Sequence, residues 1–300
     1  MSETRILRCN GVDIAYETMG EPNAPAILLI MGLGMQLVAW PDAFCRALVE
    51  RGFRVIRFDN RDTGLSGSID VARPPNLLLA MLKARIGLPP PPPYSLTDMA
   101  DDAVALLDGL GVRKAHIVGA SMGGMIAQLV AARHPERVSS LTSIMSTSGN
   151  PRVSMPRFDA LKALLGRPQK PDDFDSVVAH LVRLFRVIGS PAYPMPETEM
   201  RARIARSVER AYNPPGVARQ LLAILADGDR SKRLRAISAP SLVIHGGADP
   251  LVPLAGGRDT AKNIAGARLV VIEGMGHDLP NQLLDRLAGE IATHCSAAIS

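Results

Sequence analysis

The sequence predicts an α/β fold: a mainly parallel sheet covered by helices on both sides and broken by one helical insertion. Three observations carry this. Short apolar runs recur from one end of the chain to the other, and stretches of helical periodicity lie between them. The alternation lapses over a single long helical region and then resumes. Three hundred residues is enough for one such domain with an insertion.

The chain opens as a hairpin, with Ile6–Cys9 and Val12–Glu17 flanking Asn10-Gly11. That pair tolerates positive φ at both centres of a type I′ turn. Ala26–Met31, Arg54–Phe58, Ala115–Val118, Val138–Ile144, Leu242–His245 and Leu269–Ile272 are apolar runs of the length and composition of strands buried on both faces. Helical patterns fall between them at Pro41–Arg51, Thr97–Leu110, Met122–Arg133, Gly256–Ile264 and Leu279–Thr293. Residues 69–95 hold Arg73-Pro74-Pro75 and the run Pro89–Pro93, which predict a stiff extended excursion from the sheet. Residues 147–235 show helical periodicity and no strand. Because strands resume afterwards, the segment is expected to be a helical cap inserted in a core made of residues 1–146 and 236–300.

The 47% hydrophobic and 21% charged content excludes a disordered or fibrous chain. Its longest apolar runs fall short of the roughly 20 residues needed to span a bilayer. Met1–Arg8 has no apolar signal-peptide core, and Cys9, Cys45 and Cys295 are odd in number and scattered. Reduced thiols in a cytoplasmic protein are the expectation. Residues 151–235 carry 16 Lys and Arg against 9 Asp and Glu, whereas the remainder carries 18 against 20. With few aromatics and no nucleic-acid motif, the basic surplus reads as a solvated face, and neither nucleic acid nor membrane is expected as a partner. Leu161, Leu164, Leu165, Leu181, Leu184, Phe185, Leu221, Leu222 and Leu225 recur at helical spacing, so the arginines among them should face water.

The chemistry centres on Gly119-Ala120-Ser121-Met122-Gly123. Alone this pattern is weak, but here it joins a strand candidate to a helix candidate. A tight turn of that kind brings positions 119 and 123 together, leaves no room for side chains there, and lifts the serine hydroxyl out. A serine needs a base, and the base a partner that fixes its tautomer. His277, in Gly274-Met275-Gly276-His277-Asp278 after the last strand candidate, is the base expected of the six histidines. Asp249, in Gly246-Gly247-Ala248-Asp249-Pro250 after the preceding strand candidate, is the acid expected. The loop after Val138–Ile144 offers no carboxylate, and Asp278 is too near His277 in sequence to face it. The oxyanion donors should be the backbone N–H of Met122 and that of Leu33, the latter flanked by Gly32 and Gly34.

With these features the chain resembles the α/β-hydrolase superfamily over essentially its whole length. Arg57-Phe58-Asp59-Asn60-Arg61-Asp62-Thr63-Gly64-Leu65-Ser66 and Gly274-Met275-Gly276-His277-Asp278-Leu279-Pro280 make it most similar to the branch of aclacinomycin methylesterase-like carboxylesterases. It departs from many superfamily members in having Met31-Gly32 for His-Gly, and Asp62 where a glycine is common. Asp59, Arg61 and Ser66 read as loop-holding hydrogen bonders.

The resemblance implies an α/β-hydrolase fold and a serine hydrolase that cleaves small to medium carboxylic esters through an acyl-enzyme, with no metal or organic cofactor. Nucleophilic Asp enzymes of this fold are disfavoured by Ser121. Proline iminopeptidase-like and carbon–carbon bond hydrolysis, cofactor-free perhydrolysis on the same triad, and a non-catalytic small-molecule receptor on the same scaffold are the alternatives.

Overall fold

A computed structural model describes residues 3–69, 77–85, 88–89 and 91–298. Among the described residues eight strands form one sheet: β1 (Arg5–Cys9), β2 (Val12–Met19), β3 (Ala26–Ile30), β4 (Arg54–Phe58), β5 (Ala115–Ala120), β6 (Val138–Ile144), β7 (Ser241–Gly246) and β8 (Arg268–Ile272). Their spatial order is β1-β2-β4-β3-β5-β6-β7-β8. β1 and β2 pair antiparallel, as do β2 and β4, and every other pair is parallel. The hairpin turn has φ of 46° at Asn10 and 79° at Gly11, as an Asn-Gly type I′ turn requires.

The central strands are apolar throughout because both faces are covered. In β3, Leu28 and Ile30 enter one core cluster while Ile27 and Leu29 enter the other, and all four are fully buried. The first cluster includes apolar residues of α3 (Leu96–Gly109) and α4 (Met122–Arg133). The second includes those of α1 (Asp42–Glu50) and α11 (Leu284–Ala297). α10 (Leu254–Asn263) packs on β7 and β8. α3 begins at a capping box in which Ser95 and Asp98 satisfy each other's backbone N–H groups.

Helix α2 (Leu77–Arg85) corrects one expectation. It lies within the stretch expected to be extended and packs on α8 (Pro214–Asp227). The prolines bracket Leu77-Leu78-Leu79-Ala80-Met81-Leu82-Lys83-Ala84-Arg85 without entering it, and those nine residues are strong helix formers. Arg73-Pro74-Pro75 and Pro90 of the run Pro89–Pro93 lie outside the described residues.

Between β6 and β7 come α5 (Phe158–Leu164), α6 (Phe174–Ile188), α7 (Glu197–Arg210), α8 and α9 (Ser231–Leu234). α6 and α7 share a small apolar cluster of Val178, Val182 and Ile204. A second correction concerns the basic residues here. Arg219 and Arg230 are buried and Arg210 nearly so, instead of facing water. Arg210 pairs with Asp59 and Arg219 with Asp62, both at 2.7 Å, while Arg230 pairs with Asp227 at 2.5 Å. Part of the segment's positive surplus therefore answers buried carboxylates of the loop after β4.

Candidate active site

The parallel strands end at one edge of the sheet. Gly119 of β5 is in register with Ile30 of β3 and Ser143 of β6, and Gly246 of β7 with Ile272 of β8. The loops after β3, β5, β7 and β8 therefore converge beside the point where strand order reverses around β3, the usual crevice of an open α/β sheet.

Ser121 occupies the one-residue turn between β5 and α4, with φ 56° and ψ −121°. This left-handed conformation is strained for a side-chain-bearing residue, and the packing around it holds it in place. A Cβ on Gly119 would meet Gly123 O at 2.0 Å, and one on Gly123 would meet Ile30 O at 2.0 Å. Both positions must be glycine for the turn to close. Ser121 N–H donates to Ile144 O at 2.9 Å, tying the turn to β6.

His277, in the loop after β8, places Nε2 2.9 Å from Ser121 Oγ and Nδ1 2.7 Å from Asp249 Oδ2. A carboxylate oxygen accepts, so Nδ1–H is the donor and Nε2 is left as the acceptor facing Ser121 Oγ. Asp249 is itself fixed, since its Oδ1 accepts from Leu251 N–H at 2.9 Å and Val252 N–H at 2.8 Å. Behind it, buried His245 donates Nε2–H to Val252 O at 2.8 Å. Burial holds the His245 imidazole below its ordinary pKa, against the pull of Val252 O and Asp249, so it serves as a neutral brace for the acid loop. Sequence reading passed over this histidine; its position four residues before Asp249, at the end of a buried strand, was the available signal.

Asp278 accepts a hydrogen bond from Ser190 Oγ. Burial pushes its carboxyl above the usual range, against the hydrogen bonds from Ser190.

The loop after β3 lies against Ser121. A Cβ on Gly32 would sit 3.1 Å from Ser121 Cβ and 3.6 Å from its Oγ. Several bonds hold this loop. Asn60 Nδ2 donates to Met31 O at 2.9 Å, Gly34 N–H donates to Gln220 Oε1 at 2.8 Å, and Leu37 N–H donates to Asp59 Oδ1 at 2.6 Å. Leu33 therefore sits in a pinned loop beside Ser121. Met122 opens α4, where the first N–H groups have no partner within the helix and the helix dipole is positive.

Asp59, Arg61 and Ser66 are structural hydrogen bonders. Asp59 also accepts from Leu65 N–H, Arg61 forms a two-bond pair with Asp102, and Ser66 links Ala15 N–H to Asp59 O. For Asp62, burial raises the pKa, but bonds from Arg219, Tyr94 and Ile69 N–H outweigh it and hold the carboxyl below the usual value. Cys9, Cys45 and Cys295 are free and buried. Among the described residues no helix is long and apolar enough to cross a membrane.

Comparison with known proteins agrees with this architecture. The family model for the alpha/beta hydrolase fold matches residues 25–280. Rhodomycin D methylesterase of Streptomyces peucetius is 32% identical, covering 98% of this chain and 99% of its own. The rhodomycin D methylesterase of Streptomyces sp. strain C5 has the same identity and coverage. Among solved structures, the enol-lactonase from Burkholderia xenovorans LB400 superposes with a TM-score of 0.72 at 25% identity, covering 97% of this chain and all of that one. The meta-cleavage product hydrolase of Pseudomonas fluorescens IP01 gives a TM-score of 0.76 at 20% identity over 98% of both chains, a likeness of fold. The chain thus belongs to the α/β-hydrolase fold family, as a carboxylesterase-type hydrolase in the branch of the rhodomycin D methylesterases.

Proposed function

We propose that this protein hydrolyses carboxylic esters of small to medium size through an acyl-enzyme on Ser121, with His277 as general base and acid and Asp249 orienting it. The observation that carries this is the continuous chain of hydrogen-bond distances from Ser121 Oγ to His277 Nε2, and from Nδ1 to Asp249 Oδ2, at 2.9 and 2.7 Å. Ser121 Oγ bonds to the acyl carbon as its proton passes to His277 Nε2. The carbonyl oxygen takes negative charge and accepts from the N–H groups of Leu33 and Met122. Collapse breaks the bond to the alkoxy group, which leaves as an alcohol with the proton from His277. Water then repeats the cycle on the acyl-enzyme and releases the acid. The named activity of the Streptomyces relatives points to a methyl ester as the substrate, with methanol leaving. The residues that do this need no metal or cofactor.

The helical segment 147–235 acts in this reading as a cap over the sheet edge, and the free, buried thiols fit a reducing, cytoplasmic setting. The test is Ser121→Ala, whose purified protein should keep less than about a hundredth of wild-type ester turnover while folding normally. Fluorophosphonate labelling should disappear with it. Turnover retained above that level would show that Ser121 is not the nucleophile.

A further inference from the structure

We propose that Ser190 is a positioning residue for the base, the latch through which the segment after α6 sets the alignment of His277. The inference rests on His277 being the base of Ser121, and it concerns what holds that base in place. Residues 188–192 run alongside residues 274–278 and are bonded to them at successive positions. His277 N–H donates to Ile188 O at 2.7 Å and Ala192 N–H to Gly274 O at 3.2 Å. Between those bonds stands the Ser190 hydroxyl. It accepts from Gly276 N–H at 2.8 Å and donates to Asp278 Oδ1. One buried hydroxyl thus grips the residue before His277 and the residue after it.

The fit leaves little room for another arrangement. A Cβ on Gly276 would meet Gly189 O at 2.4 Å, and one on Gly274 would meet the Ala192 side chain at 2.3 Å. The loop that must present Nε2 to Ser121 has no helix or strand of its own around residue 277, and the sheet contributes only the end of β8. Its geometry is therefore set from outside, by Ala248 N–H, which donates to Met275 O at 2.9 Å, and by a segment 86 residues earlier in the chain, which is bonded to Gly274, Gly276 and His277. Asp278 gains a role that its neighbourhood to His277 does not suggest. It is the acceptor that orients the Ser190 hydroxyl, so that the oxygen's lone pairs face Gly276 N–H. A neutral acceptor can do the same.

Removing the hydroxyl leaves Gly276 N–H and Asp278 without their shared partner, and frees the loop to shift by a fraction of an ångström. Misplacement of a reacting group on the 1 Å scale can cost about 100-fold. Ser190→Ala, and Ser190→Cys as the variant that keeps the shape, should lower kcat on p-nitrophenyl butyrate by about 10- to 100-fold. KM should stay within about threefold, because the substitution loosens the alignment of the base and removes no group proposed to hold the ester. The rate of fluorophosphonate labelling should fall in parallel, since acylation uses the same base. Wild-type kcat in the folded variants, or a loss carried by KM alone, would overturn the proposal. So would a lower melting temperature with unchanged kcat, the mark of a purely structural serine. Ser121→Ala is assayed beside them. Turnover by that variant overturns the nucleophile assignment itself, whereas a dead Ser121→Ala with a fully active Ser190→Ala overturns the latch alone.

Discussion

Two aspartates lie near His277, and geometry separates their roles. Asp249 accepts from His277 Nδ1–H at 2.7 Å and is pinned by two backbone N–H groups, whereas Asp278 accepts from Ser190 Oγ. Asp249→Asn presents a donor or a misoriented acceptor to Nδ1 and favours the wrong tautomer, so kcat should fall by about three to four orders of magnitude. Asp278→Asn keeps an amide oxygen for the Ser190 hydroxyl, and its kcat should change less than about threefold, because only a partner of a partner has altered. Steady-state kinetics of the two variants decides this, and the reverse ranking would sink the assignment. Ser121, His277 and Asp249 could be named from the sequence as one candidate site because each follows a strand, and the structure brings them within hydrogen-bond distance of one another. Ser190 was not legible. A serine after a helix looks like any surface serine until the fold brings it against residues 276 and 278. Gln220 was equally hidden, since its bond to Gly34 joins positions 186 apart.

At the scale of single elements, the strands were readable because burial on both faces leaves a continuous apolar run, as in β3. α2 was misread because the prolines around it obscured a proline-free helical stretch. β5 carries a consequence that its apolar pattern conceals. His116 lies within it, buried, with Nδ1 2.8 Å from Ser140 Oγ and its ring edge-on to Phe53. Burial, and then the neighbouring His294 and Lys114, bring its pKa from 6.5 down to about 4. Between those values the unfolded chain binds a proton that the folded strand refuses. The stability this contributes is complete above about pH 6.5 and is lost as pH falls towards about 4, up to about 3 kcal/mol in all. His245 and His294, also held low by burial, act in the same direction. The urea midpoint should therefore drop between pH 7 and pH 4.5. His116→Gln, which keeps a partner for Ser140, should show a shallower drop from a lower start. Equal slopes in both proteins would remove His116 as a source of the acid sensitivity.

Across the whole molecule, the helices between β6 and β7 reach both halves of the proposed machinery. α8 supplies Gln220, whose side chain accepts from Gly34 N–H and donates to Arg61 O and Thr63 Oγ1, each at 2.8 Å. α7 supplies Arg210, bonded to Gln36 and Asp59, α6 ends on Ile188, and the segment after it supplies Ser190. A segment tied to the loop of Gly34 on one side and to the loop of Gly276 on the other is a poor hinge, because opening it widely would break buried charge-paired bonds and misplace both loops. An enzyme working at an oil surface must instead expose a broad apolar face. The helices between β6 and β7 were legible, but their anchoring was not, because two of the arginines read as a solvated face, Arg210 and Arg219, pair with Asp59 and Asp62. This rigidity leads to a prediction about substrate size. p-Nitrophenyl acetate and butyrate should be hydrolysed with higher kcat/KM than the palmitate ester, and rate should follow substrate concentration smoothly through the solubility limit. Chain-length profiles measured below and above that limit are the check. Palmitate as the best substrate, with a jump in rate once droplets form, would mean that the segment swings clear of the sheet edge and that the anchoring bonds to Gly34 and Gly276 break during each turnover.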